Sequence, residues 1–186
     1  MSLRLFVALD LPPAARAALA AFRDTVADPA VWWPLSDDAL HVTLAFLGHR
    51  PEADVERAAA VMHGATGPAP RLVLGAALAL PPRRPRVLTA AIADPDGTLA
   101  ELQSALSAGL AAAGTYTPEA RPFRPHVTVA RLRPGARAQR AAAMPGPEPL
   151  AFRGAAVTLY ASRLRSSGAR YEGLSSIPLP DPHARH

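Results

Sequence analysis

Apolar residues recur along this chain in two rhythms, one belonging to strands and one to helices. A dense run over 3–9 reads as a buried strand. Pro12 and Pro13 are tolerated in a first helical turn, and Leu19, Phe22 and Val26 then fall at helical spacing, which predicts a helix over 14–26. Trp32 and Trp33 lie in the following loop and are expected to pack into the core. A second apolar run over 41–48 ends at Gly48, and a helix is predicted over 51–63. Two further runs, 71–80 and 87–93, flank the proline-rich stretch 81–86 and suggest a hairpin with Arg83, Arg84 and Arg86 at or near its tip. Leu99, Leu102, Leu106 and Leu110 mark a helix over 98–113 that Gly114 closes. The remainder predicts a strand over 126–131, a short helix over 136–144, a linker over 145–149, and strands over 152–161 and 170–177. The element order is β-α-β-α-β-β-α-β-α-β-β, with a strand–helix pattern in the first part that partly recurs in the second.

Within two of these strands one tripeptide appears twice, as His41-Val42-Thr43 and His126-Val127-Thr128. Side chains on a strand alternate between faces, so His41, Thr43 and Ala45 are expected on one face while Val42, Leu44 and Phe46 turn to the core. His126, Thr128 and Ala130 repeat that arrangement. Strict alternation would put Arg131 on the opposite face, unless the strand bends or ends before it. A single buried histidine is ordinarily a hydrogen-bonded core residue. Two copies in the same residue order instead predict one site assembled from two halves. A pair of imidazoles can share acid and base roles, one taking a proton from water and the other giving one to a departing oxygen. Threonine hydroxyls and arginine forks hold phosphate oxygens, so the constellation fits phosphoester chemistry that needs no metal or other cofactor.

Length and composition remove alternatives. At 186 residues the chain fits one domain, expected over 1–179 with 180–186 as a disordered tail. No apolar run approaches the roughly 20 residues of a membrane span, and the N-terminal run is too short and too soon interrupted for a signal peptide, so a cytoplasmic protein without membrane partners is expected. Cysteine is absent, which excludes disulfides, a thiolate nucleophile and cysteine-based zinc sites. The 20 basic residues are all arginine, since no lysine occurs. That excludes a Schiff base, a P-loop lysine and ligation through an adenylylated lysine. The net charge of +5 suits a polyanionic partner. Two histidines with no carboxylate at ligand spacing do not make a three-ligand zinc site.

With these residues in view the chain resembles the 2H phosphoesterases, and within them the bacterial RNA 2′,3′-cyclic phosphodiesterases historically named 2′-5′ RNA ligases. The likeness rests on both His-x-Thr motifs and their frames: 4–12, 33–48, 83–88, 121–131, and Leu159, Tyr160 and Tyr171. The resemblance implies a bilobal α/β fold of the α+β type, two antiparallel sheets flanked by helices around a central cleft, pseudo-two-fold symmetric. It implies hydrolysis of a terminal 2′,3′-cyclic phosphate to a 2′-phosphate, on RNA or a cyclic nucleotide, without a metal; separately, a monomer is expected. Reverse joining to a 2′-5′ linkage would be a minor activity. By matching positions, His41 would be the general acid and His126 the base, Thr43 and Thr128 would bind phosphate, and Arg131 would contact substrate. Arg124, Arg83, Arg84 and Arg86 are candidates for holding RNA. The competing reading is a nucleotide- or RNA-binding module that uses the same cleft without turnover.

Overall fold

The computed structural model describes residues 2–65, 67–138, 145–165 and 168–180. Its strands are β1 (Ser2–Asp10), β2 (Trp32–Pro34), β3 (His41–Pro51), β4 (Arg71–Leu80), β5 (Val87–Ala93), β6 (His126–Leu132), β7 (Ala151–Arg153), β8 (Ala156–Arg165) and β9 (Gly168–Pro178). The helices are α1 (Pro13–Val26), α2 (Asp54–Ala65) and α3 (Thr98–Ala112). Proline at the first position starts α1, and Ala15, Leu19 and Phe22 form its buried stripe. In α3 the buried stripe is the predicted one, Leu99, Leu102, Leu106 and Leu110. Each such leucine contributes about 2 kcal/mol of burial. Gly97 precedes α3 at φ 73° and Gly114 follows it at φ 69°, both in the left-handed region that glycine enters without a steric cost. Among the described residues no helix is long and apolar enough to cross a membrane.

All strand pairings are antiparallel, in the order β7-β4-β5-β6-β3-β1-β8-β9, with β2 added on β6. The two expected sheets are therefore halves of one continuous sheet. They join through a single paired position, Val42 opposite Val127, between the two motif strands. On one side β3 lies beside β1, and on the other β6 lies beside β5. Each half contains a strand, a helix and the motif strand that folds back beside the first: β1-α1-β3 and β5-α3-β6. That repeat is the pseudo-two-fold symmetry that the recurring strand–helix pattern of the sequence suggests, with its axis at the Val42–Val127 seam.

Several local expectations need correction. Trp32–Pro34 forms a strand on β6 rather than a free loop, because its backbone completes the edge that β6 offers there. Of its two tryptophans only Trp32 is core, 7% exposed against 39% for Trp33. The motif strand β3 runs on to Pro51, and the helix starts later than predicted, at Asp54. The single strand expected over 152–161 is two, β7 and β8. Gly154 separates them, packed so closely on Leu9 that an added Cβ would lie 2.7 Å from its Cδ1. Residues 136–138 are irregular rather than helical, and the rest of the predicted helix, 139–144, lies outside the described residues. Pro180, placed in the tail by the sequence, has its carbonyl bound by Ala69 N at 3.1 Å, and residues 181–186 lie outside the described residues.

Candidate active site

Both motif strands carry the same irregularity, which decides what faces the cleft. In β3, Thr43 pairs with Ala8 but Ala45 pairs with Val7, so Leu44 is an extra residue and the alternation of faces flips after it. Ala45 is consequently buried, and Phe46 emerges at 41% exposure on the face of His41 and Thr43. This reverses the expected places of Ala45 and Phe46. In β6, Thr128 pairs with Thr89 and Ala130 with Leu88, so Val129 is the extra residue. Ala130 turns into the core, and Arg131 joins His126 and Thr128 on the cleft face. The bulge, rather than the end of the strand, is what brings Arg131 round. The bulged residues keep their carbonyls satisfied from other elements: Gln103 Nε2 donates to Leu44 O at 3.2 Å, and Leu35 N donates to Val129 O at 2.9 Å.

The seam then sets the pairing of functional groups. With Val42 opposite Val127 in an antiparallel pair, the next positions out bring His41 beside Thr128 and Thr43 beside His126. Opposed side chains of this kind lie roughly 5 Å apart at Cβ. Each half thus supplies the imidazole that stands beside the other half's hydroxyl, and all four residues line one cleft with Arg131, Leu35 and Tyr171.

The histidines are oriented alike. His41 Nδ1 lies 2.8 Å from Ala39 O, and His126 Nδ1 lies 2.8 Å from Arg124 O, in each case two residues upstream. A carbonyl only accepts, so both Nδ1 atoms carry hydrogen, and Nε2 is the nitrogen left for proton transfer. His41 Nε2 lies 3.2 Å from Thr43 Oγ1, within reach of the hydroxyl proton when the ring is neutral.

The surroundings of the two rings differ. His41 stacks on Phe6, with centroids 4.9 Å apart, and meets the edge of Tyr171 at 5.4 Å. Tyr160 stacks behind Phe6 at 5.3 Å. Asp10, the register partner of His41 on β1, accepts from Tyr160 Oη and from Thr158 Oγ1, each at 2.7 Å. Burial drives the His41 imidazole down from 6.5 to about 4, and nearby Arg131 and Arg16 push the same way. The bond to Ala39 O and the charge of Asp10 oppose that fall without cancelling it. Burial, followed by the bond to Asp10, raises the Tyr160 phenol, which stays a protonated donor. None of Phe6, Asp10 or Tyr160 was singled out as a site residue from sequence. The available signal is Asp10, an acid that closes the apolar run 5–9, in the same alternating set as Phe6.

The arginines divide into two groups. Arg131 lines the cleft, whereas Arg124 is exposed and contributes its carbonyl to His126. Arg83, Arg84 and Arg86 are exposed on the β4–β5 hairpin and do not line the cleft. The hairpin is tied near its base, where Arg86 N donates to Leu80 O at 2.7 Å and Arg86 O accepts from Leu132 N at 2.8 Å. Since Val87 is the register partner of Arg131, the trio lies at the Arg131 end of β6.

A helix-flanked antiparallel sheet whose two seam strands each present His-x-Thr to one cleft defines a 2H phosphoesterase. The chain belongs to the 2'-5' RNA ligase superfamily, whose model matches residues 11–165. It is 33% identical over 172 residues to the RNA 2',3'-cyclic phosphodiesterase of Escherichia coli (strain K12), covering 92% of this chain and 93% of that protein. Among solved structures, the TT0787 protein of Thermus thermophilus superposes with a TM-score of 0.81 at 31% identity, covering 97% of this chain and all of that one. E. coli LigT complexed with 3'-AMP superposes at 0.82 and 28% identity, over 96% of this chain and 99% of that one.

Proposed function

We propose that this chain hydrolyses 2′,3′-cyclic phosphate ends of RNA or nucleotides to 2′-phosphates, using the two motif histidines and no metal. The observation that carries this reading is the single cleft that His41, Thr43, His126 and Thr128 line together, with both Nε2 atoms left for proton transfer. The cyclic phosphate would sit between the two strands, its non-bridging oxygens held by Thr43, Thr128 and Arg131. His126 Nε2 takes a proton from water as the water oxygen bonds to phosphorus. The bond from phosphorus to the 3′-oxygen breaks, and His41 Nε2 protonates that oxygen, leaving a 2′-phosphomonoester and a 3′-hydroxyl.

The electrostatics of His41 bear on this assignment. A general acid must start protonated, yet burial by itself holds the ring neutral at pH 7. An anionic phosphate placed against it supplies the compensating charge, so substrate binding itself would load the acid. Reverse joining of a cyclic phosphate to a 5′-hydroxyl uses the same groups and, with no energy source, stays minor. The substrate is met by a monomer in the cytoplasm.

The test is turnover of a 2′,3′-cyclic nucleotide by the wild-type protein, His41→Ala and His126→Ala. Each substitution should slow the reaction by roughly 10²–10⁴-fold. Absence of wild-type turnover together with retained nucleotide binding would instead establish the non-catalytic module.

A further inference from the structure

We propose that Trp33 is a stacking platform for the base of the nucleotide that precedes the cyclic phosphate end, which makes this chain prefer an oligonucleotide to a mononucleotide. The inference rests on the function proposed above and adds a subsite to it. Trp33 is one of the three large apolar side chains that stand exposed among the described residues. Its neighbour Trp32, on the opposite face of β2, is buried. Burial of the indole in the core therefore does not explain it.

Its location points along the substrate path. Trp33 is the register partner of Arg131, so the two side chains share the cleft face of the sheet. Leu35 lines the cleft, while Trp33 lies two residues earlier along the same extended segment and is not among the lining residues. Two residues of extended chain span roughly 7 Å, so Trp33 stands about one nucleotide step outward from the part of the cleft that Leu35 lines. The ring is also held in place before any ligand arrives. The Arg133 guanidinium packs over it at 5.6 Å from the centroid, and Arg133 Nε donates to Pro29 O at 2.7 Å. An indole backed by an arginine, beside a second arginine, matches the chemistry of single-stranded RNA, in which a flat base alternates with a phosphate.

The test compares adenosine 2′,3′-cyclic phosphate with a short oligonucleotide ending in that nucleotide. In Trp33→Leu, KM for the oligonucleotide should rise about five-fold or more, the scale of losing one base–aromatic stack. Turnover of the mononucleotide should be unchanged, and Trp33→Phe, which keeps a ring, should retain most of the preference. An equal loss on both substrates, or no loss on either, would overturn the proposal. Should the wild-type protein turn over neither substrate, the proposed function fails, but fluorescence still decides the platform. Titration with an oligonucleotide ending in a 3′-phosphate should quench emission from Trp33. Equal quenching in Trp33→Leu, arising from Trp32 alone, would refute it.

Discussion

Acidifying the unliganded protein should remove stability at His41 in a defined window. Burial lowers this imidazole from 6.5 to about 4, so the native state binds the proton more weakly than the unfolded chain does. Above pH 6.5 both states are neutral at this residue and its contribution is complete. As pH falls from 6.5 towards 4 the unfolded chain takes up a proton that the native ring refuses, and stability declines. Below 4 both states are protonated and no further loss comes from this group. At roughly 1.4 kcal/mol for each tenfold difference in proton affinity, the window is worth about 3 kcal/mol at most, because the ring borders an open cleft where solvent screens it. Urea unfolding of wild type and His41→Gln at about pH 7 and about pH 4.5 isolates that amount, since carboxylates common to both proteins cancel. The wild type should lose more stability than the variant over this interval. Parallel losses in the two proteins would show that the ring is not held neutral by burial. The same argument predicts that inorganic phosphate raises the NMR titration midpoint of His41, and an unmoved midpoint would refute the idea that an anion loads the acid.

Three further outcomes are expected. A substrate with sulfur in place of the 3′-bridging oxygen releases a thiolate that needs no proton, so it should rescue His41→Ala but not His126→Ala; rescue of the latter instead would exchange the roles. The double histidine variant should be little slower than either single one on the natural substrate, because the residues act as a unit. Replacing Arg83, Arg84 and Arg86 together with glutamine should flatten the salt dependence of RNA binding while leaving turnover of a small cyclic nucleotide intact, and an unaltered slope would make the trio a solvated surface.

The sequence disclosed the parts of this protein whose signals are local. The His-Val-Thr repeats and the apolar runs around them located β3 and β6, and leucine spacing located α3. Strict alternation then misplaced Ala45 and Phe46 and left Arg131 undecided, because a bulge depends on how a partner strand is paired. Nothing in the order of residues 41–48 or 126–132 marks Leu44 or Val129 as the extra residue. The wall behind His41 was hidden for a related reason. Asp10, Thr158, Tyr160 and Tyr171 come from opposite ends of the chain and meet only through the pairing of β1 with β8 and of β8 with β9. Gly154 is similar, since its need for a small residue comes from Leu9, which is remote in sequence.

The central claim is that two histidines, without metal, open a cyclic phosphate at its 3′-oxygen. The direct measurement is incubation of the protein, in EDTA, with RNA ending in a 2′,3′-cyclic phosphate, followed by identification of the product isomer. Undiminished turnover to a 2′-phosphate is the predicted result. Activity lost to chelation and restored by a divalent cation, or a 3′-phosphate product, would contradict it.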